Sequence, residues 1–381
     1  MKTICNKDHC TGCGLCSVIC PSRCITMREG LLGHLFPVID TEKCIDCGLC
    51  QKKCPVVNPV ELRKPERCFA AWAKEIEEYK SSTSGGTGSV FARNIIKKGG
   101  VVYGCSMQPN VKVSHIRVDN EEDLLKLKGS KYVQSNITEI LPLLKSDVLR
   151  GVPVLFIGTP CQVAAVRRMY KEQPHNLYVV DLICHGVPSV AFLKQHIFKV
   201  VGTRDVDDIR FREGNGMYTI IIVDGKEVYK MPLWQRRYKD LYFNTFIDGY
   251  TYRKSCYQCQ YACPSRCGDI TIGDFWGLGR KESAQEIPSH PLGISVILPC
   301  SEKGNQMIKE AGGAMYLYER KVGEAVSGNK QLRFPKKANW RIRLFQIICQ
   351  HWNYPEIYNL LTIDQRLLYH LVKPVKKLLN K

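Results

Sequence analysis

From residue 68 onward, apolar residues alternate between short continuous runs and helical spacing, and that alternation predicts an α/β layer. Phe69 to Ala73 reads as a strand, Thr87 to Lys98 as an amphipathic helix, and Val101 to Ser106 and Val111 to Val118 as strands. Asn136 to Leu149 has helical spacing interrupted by Pro142. Pro153 to Ile157 then reads as a buried strand, Gln162 to Lys171 as a helix, Leu177 to Ile183 as a strand and Ala191 to Val201 as a helix. Short strands around Gly214-Asn215-Gly216 and Asp224-Gly225, within Ile209 to Val228, predict hairpins attached to the sheet. After about Lys336 the pattern turns helical, with Trp340 to His351 and Tyr354 to Val372 apolar at helical spacing before Pro374. No run of eighteen apolar residues occurs, so no membrane-spanning helix is expected.

Before residue 58 cysteine replaces hydropathy as the organising pattern. Cys10-x-x-Cys13-x-x-Cys16-x-x-x-Cys20-Pro21 recurs thirty-four residues later as Cys44-x-x-Cys47-x-x-Cys50-x-x-x-Cys54-Pro55. Each run offers three evenly spaced thiolates to three corners of a [4Fe–4S] cube, while its fourth cysteine, followed by proline, reaches the other cube. The expected ligands are Cys10, Cys13, Cys16 and Cys54 for one cluster, and Cys44, Cys47, Cys50 and Cys20 for the second. Gly14-Leu15 also recurs as Gly48-Leu49, where a glycine would let the backbone pack close to the cube. A structural zinc site takes four ligands in two pairs, which leaves the third evenly spaced cysteine and the Cys-Pro without a role. A disulfide framework suits neither 381 residues nor the absence of an apolar h-region between Met1 and Cys16. The twenty cysteines are therefore expected in a reducing, cytoplasmic setting.

The net charge of +19 resembles that of a nucleic-acid binder, but ligating thiolates and anionic clusters make the loaded protein less basic than its sequence. Lys330, Arg333, Lys336, Lys337, Arg341 and Arg343 follow one another without an acid. Such a segment suits an acidic electron carrier, a peripheral contact with an anionic membrane or a phosphorylated sugar; its bland alternative is a solvated helix face. No aromatic platforms accompany it, so nucleic acid is not an expected partner.

Three stretches in the larger part carry chemistry. Ser81-Ser82-Thr83-Ser84-Gly85-Gly86-Thr87-Gly88 follows a strand and opens a helix, where exposed N–H groups can take a phosphate or the polar edge of a flavin. By itself it reads equally as a flexible loop and helix cap, since neither a full G-x-G-x-x-G nor a Walker lysine is present. Gly158-Thr159-Pro160-Cys161-Gln162 and Ile183-Cys184-His185-Gly186 sit at the carboxyl ends of successive strands, the edge that lines ligand crevices in open α/β sheets. Cys256-Tyr257-Gln258-Cys259 adds a pair, and together these four soft ligands suggest a third [4Fe–4S] cluster. Cys263 and Cys267 continue the pair into a local run that would leave Cys161 and Cys184 idle; the dispersed set is preferred because it uses the strand ends. Cys5, Cys24, Cys68, Cys105, Cys300 and Cys349 are expected to pack as small apolar residues.

Ser84-Gly85-Gly86, Gly129 to Ser135, Gly158 to Gln162, Cys184-His185-Gly186, Cys256-x-x-Cys259 and Asp269 to Trp276 occur in an order that resembles the coenzyme F420 hydrogenase/dehydrogenase beta-subunit family. The resemblance covers about residues 69 to 300, and the N-terminal cysteine repeat is similar to the ferredoxin-like extension of many members. It implies a flavoprotein in which Cys161, Cys184, Cys256 and Cys259 hold the third cluster. It also implies that Ser84, Gly85, Gly86, Thr87, Lys131, Tyr132 and Gln134 lie near FAD, with Thr159 and Gln162 beside them. Lys131 would place positive charge near the flavin N1, and the hydride partner would be coenzyme F420 or another small conjugated acceptor.

The expected fold is α+β/α/β: a two-cluster, bacterial-ferredoxin-like domain over residues 1–57, a linker over 58–67, an FAD and iron–sulfur α/β domain over 68–335, and a basic helical C-terminal extension over 336–381. The expected function is an iron–sulfur flavoprotein oxidoreductase working with a redox partner such as ferredoxin or a catalytic subunit. Its rivals are a non-catalytic electron-transfer subunit and a metal-stabilised interaction protein; a scaffold has no use for the redox edge.

Overall fold

The computed structural model describes residues 3–234, 238–349 and 354–369. Strands β1 (Ile25–Glu29) and β2 (Leu35–Ile39) form a two-stranded antiparallel sheet between the two cysteine loops. Each loop runs into a short helix, Leu15–Val18 or Leu49–Lys53, capped by Gly14 at φ 71° and Gly48 at φ 69°. This left-handed backbone is the reason for the repeated glycine, because a Cβ disfavours it. Close approach adds a second reason only at Gly14, where a Cβ would overlap the Thr138 hydroxyl; Gly48 faces open space.

The chain then builds a mixed α/β layer. Strands β3 (Cys68–Ala73), β4 (Val101–Gln108), β5 (Lys112–Val118), β6 (Val154–Gly158) and β7 (Leu177–Leu182) appear close to where the apolar runs predict them. After these, β8 (Asp208–Glu213), β9 (Gly216–Val223) and β10 (Lys226–Pro232) form an antiparallel sheet of their own instead of extending the main one. Strands β11 (Ile270–Asp274), β12 (Ser295–Pro299) and β13 (Met315–Arg320) complete an eight-stranded sheet in the order β13-β3-β12-β11-β7-β6-β4-β5. Its centre is parallel, with β11, β7, β6 and β4 paired in one direction; β12 lies antiparallel between β11 and β3. Strand β3 therefore runs the same way as the parallel set. All six of its residues are buried, which suits a sheet covered on both faces.

Two helices begin where local chemistry, rather than periodicity, places them. Pro142 initiates the helix Leu141–Leu149 instead of interrupting a longer one, since a residue without an N–H is tolerated in the first turn. Thr159 and Gln162 close a capping box, so the next helix spans Pro160–Arg168 and stops short of Lys171. In the C-terminal extension, helices Trp340–Ile348 and Tyr354–Leu361 sink Ile342, Phe345, Tyr354 and Tyr358 into one core with Phe192 and Tyr250. Arg341 pairs with Asp364 at 2.7 Å, so the basic run meets acid in three dimensions. The expected helix ends at 350–351 and 370–372, and Pro374, lie outside the described residues. Among the described residues no helix is long and apolar enough to cross a membrane.

The cysteine-rich N-terminal part is packed onto this layer. Leu15 is buried in the same core as Ile137, Leu141, Phe156 and Val163. A Cβ on Gly33 would run into Ala191. The segment 58–67, expected as a linker, is pinned midway: Arg63 and Arg266 exchange two backbone hydrogen bonds of 2.8 Å.

Candidate functional site

Each N-terminal cysteine group closes around its own cavity. One cavity, of about 340 Å³ measured to its open rim, is lined by Cys5, Cys10, Cys13, Cys16 and Cys54. The other, of about 280 Å³, is lined by Cys20, Cys24, Cys44, Cys47 and Cys50. Both sets cross the repeat as the spacing predicts, with the fourth cysteine of each run joining the opposite group. Cys5 and Cys24 were expected only as packing residues, yet each lines a cavity, and Cys24 lies 3.4 Å from Cys20, sulfur to sulfur. Hydrogen bonding from the Cys5 thiol brings Cys10 down to about 6 and Cys54 to about 7; burial opposes this in both, and the Arg253 guanidinium reinforces it at Cys10. Burial pushes Cys13 up to about 12 and raises Cys16. Thiols so placed stay protonated unless a metal takes the proton's place, which is the linkage a cluster site requires.

A second cysteine constellation occupies the carboxyl edge of the large sheet. Cys161 follows β6, Cys184 follows β7, and Cys256 and Cys259 lie on the turn 254–258 and just beyond it. Burial first, then Cys161 and Cys259, pushes Cys184 up to about 12. Cys256 is raised by burial and then by Cys184, Cys259 and Cys161, and Cys259 rises to about 11 through burial and Cys161. The four thiols thus lie near enough to one another for their charges to interact. Cys267 lies apart, fully buried with its sulfur 3.2 Å from the Pro160 carbonyl oxygen and 3.4 Å from the Asp181 carboxylate. Cys263 turns to the Ser265 and Gln260 carbonyls. Cys263 and Cys267 are thus engaged with other partners, the Ser265 and Gln260 carbonyls for one and Pro160 and Asp181 for the other. Among the described residues no three His, Cys, Asp or Glu converge on a single metal-ion position.

The two constellations adjoin. Cys13, Cys161 and Cys259 pack against the same buried core, and Cys161 is among the groups that raise Cys13. Residues 9–58 match the 4Fe-4S dicluster domain, and residues 152–325 match the family described as the C terminus of the coenzyme F420 hydrogenase/dehydrogenase beta subunit. Over that segment the chain is similar to the beta-subunit family. A curated relative, the coenzyme F420 hydrogenase subunit beta of Methanococcus voltae, is 23% identical over 232 residues, covering 59% of this chain and 70% of the relative. A solved chain of the F420-reducing [NiFe] hydrogenase complex from Methanosarcina barkeri aligns at 18% identity with a TM-score of 0.46, covering 71% of this chain and 91% of its own. The dicluster module makes this beta-subunit relative an iron–sulfur redox chain.

The residues that the beta-subunit resemblance assigns to flavin fall on the same sheet edge, but they are not equally free. Lys128 donates to Ser81 at 2.6 Å, and the Ser130 hydroxyl lies 3.5 Å from that of Thr83, so the loops bearing Ser84 and Lys131 meet. Gly86 caps the helix Thr87–Lys97 in left-handed backbone. Gly85 lies flat on β3, where a Cβ would overlap the Ala71 carbonyl, and Ser84 donates to Ile294 at 2.8 Å. The Lys131 ammonium donates to the carbonyls of Leu127 at 2.9 Å and Lys128 at 2.6 Å, and burial lowers its pKa. Tyr132 stacks among Phe211, Phe243 and Phe246, with its hydroxyl 3.3 Å from Arg212. Thr159 and Gln162 are occupied by their capping box, and the Gln162 amide also donates to Ser135 at 2.9 Å. Gln134 reaches away from the edge, donating to the Thr11 carbonyl at 2.9 Å.

Sequence reasoning passed over three groups. Arg253, His34 and Asp181 carry no motif, and each acquires its role only from residues distant in the chain. Asp181, fully buried, accepts from Arg266 at 2.8 Å, Thr271 at 2.7 Å and the Gly268 N–H at 2.9 Å. It thereby ties the chain after Cys259 to the strand that leads to Cys184.

Proposed function

We propose that the chain is an iron–sulfur flavoprotein oxidoreductase subunit, moving electrons between a redox partner at the N-terminal module and a hydride-exchanging small molecule at the carboxyl edge of the large sheet. The observation that carries this reading is the junction of the two cysteine constellations through one buried core, at Cys13, Cys161 and Cys259. In the loaded protein Cys10, Cys13, Cys16 and Cys54 would hold one [4Fe–4S] cluster, Cys44, Cys47, Cys50 and Cys20 a second, and Cys161, Cys184, Cys256 and Cys259 a third. Clusters exchange single electrons whereas FAD also exchanges a hydride, so a flavin at this edge would supply the conversion between the two. The loop 82–87 and the Lys131–Tyr132 segment offer the backbone, ammonium and aromatic face for it. The four edge cysteines are half-buried, and the Thr159 hydroxyl lies 3.2 Å from the Cys161 sulfur. The relatives named for coenzyme F420 make that deazaflavin, or another conjugated hydride acceptor, the substrate class. Their membership of a hydrogenase complex points to a catalytic subunit or ferredoxin as partner.

A second reading, an electron-transfer subunit without hydride chemistry, is favoured by the commitment of Gln134, Thr159 and Gln162 to protein partners. Anaerobically purified protein decides between them. The flavoprotein reading expects about twelve irons per chain for three four-iron clusters, with FAD identified by mass on release. Cys161→Ser and Cys184→Ser should each lower iron by about four per chain. Unchanged iron in both variants sinks the dispersed ligand set, and absence of flavin sinks the hydride reading.

A further inference from the structure

Arg253 is among the largest fully buried side chains, at 1% exposure. Its Nε donates to the Cys10 carbonyl at 2.5 Å, one Nη donates to the Leu35 carbonyl at 2.8 Å, and the other lies 3.4 Å from the Gln134 side-chain amide oxygen Oε1. The guanidinium lies 4.2 Å from the centre of the Phe36 ring and fills the space that a Cβ on Gly12 would need. The backbone of Arg253 belongs to the other constellation: its N–H donates to Val187, and its carbonyl accepts from the N–H of Cys256 at 2.9 Å. These three oxygen acceptors are neutral, and among the described residues no carboxylate pairs with it. A buried cation without a counter-charge is strongly disfavoured. Negative charge is nevertheless expected on both sides of it, because a cube with four thiolates is anionic.

We propose that Arg253 is an electrostatic bridge between the two constellations: one buried positive charge that neutralises part of the charge of two iron–sulfur clusters and raises the reduction potential of both. This rests on the three-cluster reading above. Reduction adds an electron to an already anionic group, so a fixed cation beside it favours the reduced form, and net charge and hydrogen bonding are the levers that set such potentials. Arg253 is a positioning residue in this scheme, because it ligates nothing.

The test is an anaerobic EPR-monitored redox titration of the full chain, with iron counted in parallel, for wild type and for Arg253→Lys, Arg253→Gln and Arg253→Met. Gln and Met remove the charge, and Gln keeps an amide for the Cys10 carbonyl. For those two variants the reduction equilibria of the third cluster and of the cluster held by Cys10 should fall at least tenfold, 59 mV for a one-electron couple. The cluster held by Cys44 should stay put, and Lys should restore most of the loss. If Met sheds iron, the Gln variant is the one read. Unchanged potentials with full iron overturn the bridge, as does iron loss in all three variants, which would make the fork's shape rather than its charge the requirement. A wild-type protein with only eight irons per chain instead overturns the three-cluster reading and the bridge with it.

Discussion

Replacing Asp181 by Asn removes one charge from the most enclosed ion pair among the described residues. Arg266 and Asp181 are 2% and 0% exposed in their side chains and 2.8 Å apart. One carboxylate oxygen accepts from the Arg266 guanidinium and the Thr271 hydroxyl; the other accepts from the N–H groups of Cys267 and Gly268. An asparagine amide has one acceptor and one donor end, so whichever way it turns its NH2 meets a set of donors. The guanidinium meanwhile stays buried without its counter-charge. Breaking such a pair from one side costs about 3–5 kcal/mol, and the lost hydrogen bonds to a charged group, at about 1.5–3 kcal/mol each, agree with that range. Guanidinium unfolding of the anaerobic protein, followed by tryptophan fluorescence and by cluster absorbance, gives the difference from the midpoint shift. Cluster absorbance should be lost early in the variant, because Asp181 joins the strand before Cys184 to the chain after Cys259. Adding Arg266→Met should recover part of the stability, since an apolar replacement of both partners leaves no orphaned charge. A single variant within about 1 kcal/mol of wild type would refute the reasoning, because it would mean that Arg266 finds water or another acceptor.

Gly14→Ala should destabilise the protein more than Gly48→Ala. Both positions require a left-handed residue, worth about 1–2 kcal/mol, but only the first also collides with Thr138. Thermal melts should show the difference and its partial relief in Gly14→Ala/Thr138→Ala; equal losses would remove Thr138 from the account. Acidification is a further lever, through His34 and His115. Burial first, and then Arg253 at His34, brings the former from 6.5 down to about 3; burial brings the latter to about 4. Both rings stay neutral in the fold while the unfolded chain takes up protons below pH 6.5. The contribution is therefore complete above that pH and lost on the way down to pH 4, by up to about 1.4 kcal/mol per pH unit for each ring. Melting temperature against pH checks this, and a slope unchanged in His34→Gln would exclude that ring.

The grouping of the N-terminal cysteines around two cavities was legible because it is mostly local. Three cysteines at intervals of three residues leave a chain little choice, and the swapped fourth cysteine is built into the same run. The strands of the large sheet were legible for a similar reason, since a strand buried on both faces must be apolar throughout, as β3 is. Legibility failed where one residue type serves two geometries. Pro142 fits a helix break and a helix start equally well, and only the chain before it decides. Strands β8 to β10 have the alternation of hairpins, but nothing in that alternation says which sheet they join.

The same limit applies to Gln134, which the resemblance places near flavin and whose amide donates to the Thr11 carbonyl. Short motifs record that a segment is constrained, not which contact constrains it. In this chain the constraint falls where the N-terminal module meets the sheet edge. There Gln134, His34 and Arg253 meet around the Cys10 loop: the His34 ring lies 3.2 Å from the Gln134 side-chain amide oxygen, which also faces Arg253. A freely tethered ferredoxin-like module would need none of these contacts. The burial of His34 and Arg253 argues that the N-terminal cysteines are fixed against the sheet edge, held at one distance from Cys161. Limited proteolysis in segment 58–67 should then release no module while Arg253 and Gln134 are intact. Release of residues 1–57 from the uncut remainder under native conditions would show the docking to be transient.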